Sequence, residues 1–142
     1  MKNLVNFKVA LKTREYLVQA IYQMFFNNQN PIEIIEQFKK EHELQKVDFE
    51  NFSESLISIN KYKEEFKKIL IYLEIQDKDI NLLDKSIIYF AINELKFGNL
   101  DPLVVIDESL RLSKKFSNPD SYKFINACLD KYIKNPTSNI DF

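Results

Sequence analysis

The stretch from Ile80 to Phe97 is apolar on nearly every side: Leu82, Leu83, Ile87, Ile88, Phe90, Ala91, Ile92 and Leu95 leave no broad polar face. Its Ile-Ile-Tyr-Phe centre is β-prone, but the pattern runs well past the ~5–6 residues of an ordinary strand, so it predicts a helix. A helix that is greasy all round has no side to give to water and sits centrally, wrapped by others. Those others must be helices too. The chain has one glycine and four prolines in 142 residues. Hairpin turns and phosphate-cradling loops draw on glycine for positive φ, so hairpin-rich β folds and Gly-rich phosphate sites are excluded.

Six further helical patterns surround that segment. The first runs from about Asn3 to Phe26, with Leu17, Ala20, Ile21 and Met24 at helical spacing. It stops at Asn27-Asn28-Gln29-Asn30, after which Pro31 takes a first helical position with Asn30 as its cap. The second buries Ile34, Ile35 and Phe38; Asp48 caps a third, carrying Phe49, Phe52, Leu56 and Ile59. Asn60 is expected to cap a fourth, with Tyr62, Phe66, Ile69, Leu70 and Leu73 on its apolar stripe. Gly98 ends the central helix as a C-terminal glycine does. Pro102 opens a sixth, with Val105, Leu112 and Phe116 on one side, and Asn118-Pro119-Asp120 starts a seventh carrying Phe124, Ile125, Cys128, Leu129 and Tyr132. The fold class is therefore all-α: one domain, 1–142, of about seven helices in two small subdomains, 1–75 and 76–135, with a seam near residues 74–80 and a loose tail, 136–142.

Twenty basic residues balance twenty-one acidic ones, for a formal net charge of −1, which excludes a globally basic nucleic-acid binder but not a local patch. The first fourteen residues supply such a patch: Lys2, Lys8, Lys12 and Arg14 precede the first acid, Glu15. The single Cys128 cannot form an intrachain disulfide, and no run nears the ~20 apolar residues of a membrane span. The expectation is a cytoplasmic chain with no membrane segment.

Two stretches resemble the NusB family. Arg14-Glu15-Tyr16-Leu17-Val18-Gln19-Ala20-Ile21-Tyr22 is similar to the family's R-E-x-A-x-Q-A-L-Y. From Asp84 to Lys131 the chain carries Ala91-x-x-Glu94-Leu95, then Val105-Ile106-Asp107-Glu108-Ser109-Leu110 and Phe116. It closes with Asp120-Ser121-x-Lys123-Phe124-Ile125-Asn126 and Leu129-Asp130-Lys131, against the family's D-S-x-K-F-V-N-G-x-L-D-K. Between Asn27 and Asp79 only helical character matches.

This resemblance implies an all-α fold of two helical subdomains and a role in transcription antitermination without catalysis or cofactor. NusB proteins pair with a small-subunit ribosomal protein, NusE, on the single-stranded boxA element of nascent RNA, chiefly in ribosomal RNA operons. The RNA-bound pair joins the elongating RNA polymerase with other Nus factors. By the same resemblance Lys2, Lys8, Lys12, Arg14, Tyr22, Lys123 and Phe124 fall where RNA is lined or approached, Asp120 lies near that edge, and Asp84 belongs to the partner-facing bundle. Lysines neutralise phosphates, and aromatic faces such as Tyr22, Tyr122 and Phe124 offer stacking worth ~1–3 kcal/mol per base. The arm keeps one arginine where family arms carry several, and lysine lacks the guanidinium's bidentate fork. Tyr89 stands where the family often has arginine, and Leu103 near a family lysine.

Each feature also has a plainer reading. Terminal lysines are often just solvated, and aromatics at helical spacing are usually core. Asp120 equally suits the helix dipole. His42 has no second histidine for a zinc site, and Cys128 sits on an apolar stripe with no base in view. Two other functional classes compete: an RNA module associated with an rRNA-modifying enzyme, though the chain has no room for a catalytic domain, and a structural helical dimer that buries the arm.

Overall fold

The computed structural model describes residues 2–135, with side chains from Leu4 onward, so the expected tail at 136–142 lies outside the described residues. Among these residues there are seven α-helices and no strand: α1 (Lys2–Asn27), α2 (Pro31–Glu41), α3 (Phe49–Lys61), α4 (Lys63–Tyr72), α5 (Leu82–Phe97), α6 (Pro102–Phe116) and α7 (Ser121–Lys134). Short 3-10 turns at Leu44–Lys46 and Asp77–Asp79 fill two of the connections. The chain divides into two units, Met1–Asn60 and Lys61–Phe142. That division groups α4 with the C-terminal helices, whereas the sequence reading put a seam at 74–80.

In the first unit, α1 buries Leu17, Val18, Ala20, Ile21 and Met24, a side of the helix the 3.6-residue period marks out. Asn28 turns the chain in left-handed backbone (φ 50), and the Gln29 N–H reaches back to the Met24 carbonyl at 3.0 Å, closing α1. Asn30 then caps α2, its side chain accepting from the Ile32 N–H at 2.8 Å. Farther along, Thr13 Oγ1 donates to the Val9 carbonyl and accepts the Asp48 N–H at 2.9 Å, while Asp48 Oδ1 accepts from the Asn51 N–H at 3.0 Å. One threonine thus ties α1 to the cap of α3. Phe38 on α2 packs on Phe52 of α3, ring centres 5.2 Å apart. Burying a side chain of this size contributes ~1.5–3 kcal/mol.

In the second unit, every residue of α5 from Ser86 to Asn93 is buried, as its all-round apolar surface requires. It packs against α4, α6 and α7, and α6 packs against α7. Asn81 caps α5, accepting the Asp84 N–H at 2.8 Å. Tyr89 is buried edge-on to Phe66 of α4, with ring centres 5.5 Å apart. The position for which the family resemblance suggested arginine is therefore a core position in this chain.

Three local features depart from the sequence reading. Asn60 does not cap a helix: α3 runs on to Lys61 and α4 starts at Lys63. Tyr62 joins them with near-helical backbone (φ −105, ψ 15), and its ring stacks on Phe97 at 5.1 Å. Gly98 ends α5 without left-handed backbone (φ −90, ψ −178). Glycine is needed there for room, since a Cβ would lie 2.9 Å from the Glu94 carbonyl oxygen. The left-handed residue after α4 is instead Glu74 (φ 63), with the Ile75 N–H bonded to the Leu70 carbonyl at 2.9 Å.

Candidate nucleic-acid interface

On α1 the candidate residues separate by helical phase. Lys8 and Lys12 are exposed, and Lys12 Nζ lies 5.5 Å from the Tyr16 ring centre. Tyr22 is 37% exposed and stacks with Phe26, 69% exposed, at 5.7 Å and 12° between planes. Residues four or eighteen apart share a side of an α-helix, so Lys8, Lys12, Tyr22 and Phe26 form one solvent-facing stripe about 27 Å long at ~1.5 Å per residue. Arg14 is half-buried and lies off that stripe. Lys2 belongs to α1, but its side chain lies outside the described residues. Phe26 was missed in the sequence, where the Phe25-Phe26 pair ends an apolar run; its spacing of four from Tyr22 was the available signal.

His42 is taken up by packing: its ring stacks on Tyr16 at 4.0 Å and sits 5.4 Å from Phe38. Among the described residues no group of three His, Cys, Asp or Glu could hold a metal ion. Nor is any helix of the described residues long and apolar enough to cross a membrane.

In the second unit the start of α7 carries the remaining candidates. Lys123 is exposed and Phe124 half-buried, the latter lining a shallow groove of about 310 Å³ with Ile75, Ala127, Cys128 and Lys131. Asp120 is exposed at the N-cap of α7, yet its side chain caps nothing. Burial pushes the Cys128 thiol up to about 11, and a thiol so firmly protonated is a poor nucleophile.

Asp84 sits apart from these. It is buried, at 5% exposure, and its carboxylate is used internally. Ser117 Oγ donates to Oδ1 at 2.5 Å, Ser121 Oγ to Oδ2 at 3.0 Å and Asn81 Nδ2 to Oδ2 at 3.1 Å. Ser117 Oγ also lies 3.0 Å from Ser121 Oγ. The carboxylate thus pins the corner between α6 and α7 to the start of α5. This accounts for the acid without a partner surface, because a group holding two hydroxyls and an amide has little left to offer outside. Nothing in the spacing announces the cluster, because Asp84 lies more than thirty residues before both Ser117 and Ser121.

The same corner brings Lys114 and Lys115, which sequence reasoning passed over, near rings at the α6–α7 turn. Lys114 Nζ and Lys123 Nζ lie 5.1 Å and 6.0 Å from the Tyr122 ring centre, and Lys115 Nζ lies 5.8 Å from that of Phe116.

Comparison with known proteins agrees with this architecture. The NusB family profile matches residues 11–134. A transcription antitermination protein NusB from Aeromonas salmonicida is 35% identical over 125 residues, covering 87% of this chain and 91% of the relative. Its counterpart in Psychromonas ingrahamii is 33% identical over 126 residues, covering 87% and 86%, and that of Buchnera aphidicola is 33% identical over 126 residues, covering 87% and 88%. Helices, motif order and near full-length similarity converge: this chain belongs to the NusB family of transcription antitermination proteins.

Proposed function

We propose that this antitermination factor works as an adaptor and not as an enzyme, in the cytoplasm. It binds single-stranded boxA-type RNA, mainly of ribosomal RNA operons, together with the small-subunit ribosomal protein NusE, and the complex joins elongating RNA polymerase. The observation that carries this reading is the stripe on α1. Lys8 and Lys12 meet phosphates, Tyr22 with Phe26 offers a flat aromatic platform to unstacked bases, and all four face solvent. Lys2 and Arg14 add charge to the same helix. On the second unit Lys123 contributes a further phosphate contact, Phe124 an apolar one, and Asp120 a carboxylate that accepts from base or ribose donors.

The test is a titration of fluorescent boxA-like RNA with the protein, alone and with its ribosomal partner, at several salt concentrations. Binding strengthened by the partner and weakened by salt is expected, with Tyr22→Ala and Lys8→Gln each reducing affinity. Equal, salt-insensitive binding of a scrambled RNA refutes the reading.

Self-association is the second reading, favoured by Leu4, Val5 and Phe7, which are 51%, 57% and 58% exposed at the start of α1. Light scattering with and without RNA separates the two. A dimer that persists unchanged at saturating RNA supports a structural role for the arm.

A further inference from the structure

His42 is the single histidine of the chain, and histidine is the side chain that changes charge close to neutral pH. It closes α2 as the C-cap residue, its backbone N–H bonded to the Phe38 carbonyl at 3.1 Å. The half-buried ring lies against α1, stacked on Tyr16 with centres 4.0 Å apart and 24° between planes, and 5.4 Å from the ring of Phe38. Tyr16 has a second guest. The Lys12 ammonium, one turn earlier on α1, lies 5.5 Å from the same ring centre. An imidazole and a lysine thus share one aromatic ring, and that lysine belongs to the solvent-facing stripe of α1.

Charge on the imidazole changes this arrangement. Aromatic faces attract cations, so an imidazolium stacked on Tyr16 draws on the attraction that holds Lys12 and adds like-charge repulsion against it. The other charged groups around His42 come from each element beside it. On α1, Lys12 at i−4 is the charged residue that shares the Tyr16 side of the helix. On α2, Lys39 and Lys40 precede the histidine in the last turn and Glu41 adjoins it, at a helix end that carries partial negative charge. In the following turn Glu43 is paired with Lys46 at 3.1 Å, and both are well exposed.

We infer that His42 is a pH-sensitive positioning residue for the RNA-facing stripe of α1. Neutral, it leaves Lys12 folded back on Tyr16; protonated, it takes the ring and releases Lys12 towards a phosphate. The inference rests on the RNA-binding reading above and adds a regulation to it: binding tightens as the pH falls. Only a proton moves, from solvent to the imidazole, and the stack itself persists in both states.

The direct test follows the protein alone by NMR from about pH 8 to about pH 5.5, the range across which histidine changes charge. The Tyr16 ring and Lys12 Cε signals should move with the His42 titration. In His42→Phe, whose ring keeps the stack, neither should move. The functional test measures affinity for boxA-like RNA without terminal phosphates, with the ribosomal partner present, at both ends of that range. On acidification the parent should gain about threefold more affinity than His42→Phe, a comparison that cancels any titration of the partner. Lys12→Gln lowers affinity throughout and should abolish the gain while His42 still titrates, which the mere addition of one charge would not do. Thermal unfolding at each pH checks that both variants are folded, and the parent's own titration decides the matter should either variant unfold. Lys12 signals indifferent to His42 overturn the inference. So does an equal pH response in His42→Phe, or the full gain surviving in Lys12→Gln. A coupled titration in a protein that binds no RNA at either pH overturns the RNA-binding reading instead, and with it the role drawn here for the released lysine.

Discussion

Truncating Asp84 separates an internal anchor from a partner contact. Asp84→Ala deletes the acceptor for Ser117, Ser121 and Asn81 at 2.5, 3.0 and 3.1 Å. Hydrogen bonds to a charged group contribute about 1.5–3 kcal/mol each, and an orphaned buried donor adds a desolvation cost. The loss is partly relieved, because Ser117 Oγ still has Ser121 Oγ at 3.0 Å and the Asn81 side chain is free to turn to water. Counting two bonds at the low end of that range gives a net loss of about 3 kcal/mol. With a urea m-value of ~2 kcal/mol/M, the unfolding midpoint should fall by about 1.5 M. Circular dichroism during urea titration reads this directly. A double-mutant cycle with Ser121→Ala should show coupling of about 1 kcal/mol or more, since the two residues share one network. A midpoint within about 0.3 M of the parent, accompanied by weakened capture of the ribosomal partner, would refute the anchor and return Asp84 to the partner surface.

Glu74→Gly should stabilise the protein by about 0.5–1 kcal/mol, because Glu74 holds a left-handed backbone (φ 63) that glycine adopts without steric cost; a lowered melting temperature would contradict this. Cys128 gives a pH signature. Its thiol is pushed up to about 11 by burial, so folding favours the protonated form. That contribution is fully present below the ordinary thiol value near 9 and is lost as pH rises toward 11. The difference in stability between the parent and Cys128→Ala should therefore shrink on alkaline titration, by about 3 kcal/mol at most. A difference independent of pH would show that the thiolate is tolerated in place.

The sequence by itself determined the helical class, the approximate helix bounds and the central place of α5, because helical phase, capping chemistry and side-chain burial are set by residues within a few positions of one another. Asn30, Asp48 and Asn81 each bond an amide two or three residues ahead, so these starts are fixed locally. The motifs carrying the family resemblance are local in the same sense, and the stripe on α1 follows from counting along one helix. Only the tertiary structure decided what happens where distant segments meet. It engaged the Asp84 carboxylate in the internal clamp of the α6–α7 corner. It placed Tyr89 in the core, ran α3 past Asn60 because Tyr62 finds Phe97, and collected Lys114, Lys115 and Lys123 around Tyr122 and Phe116. Hydrogen bonds and charge clusters between residues many positions apart leave no period in a sequence, since their partners are chosen by how helices pack.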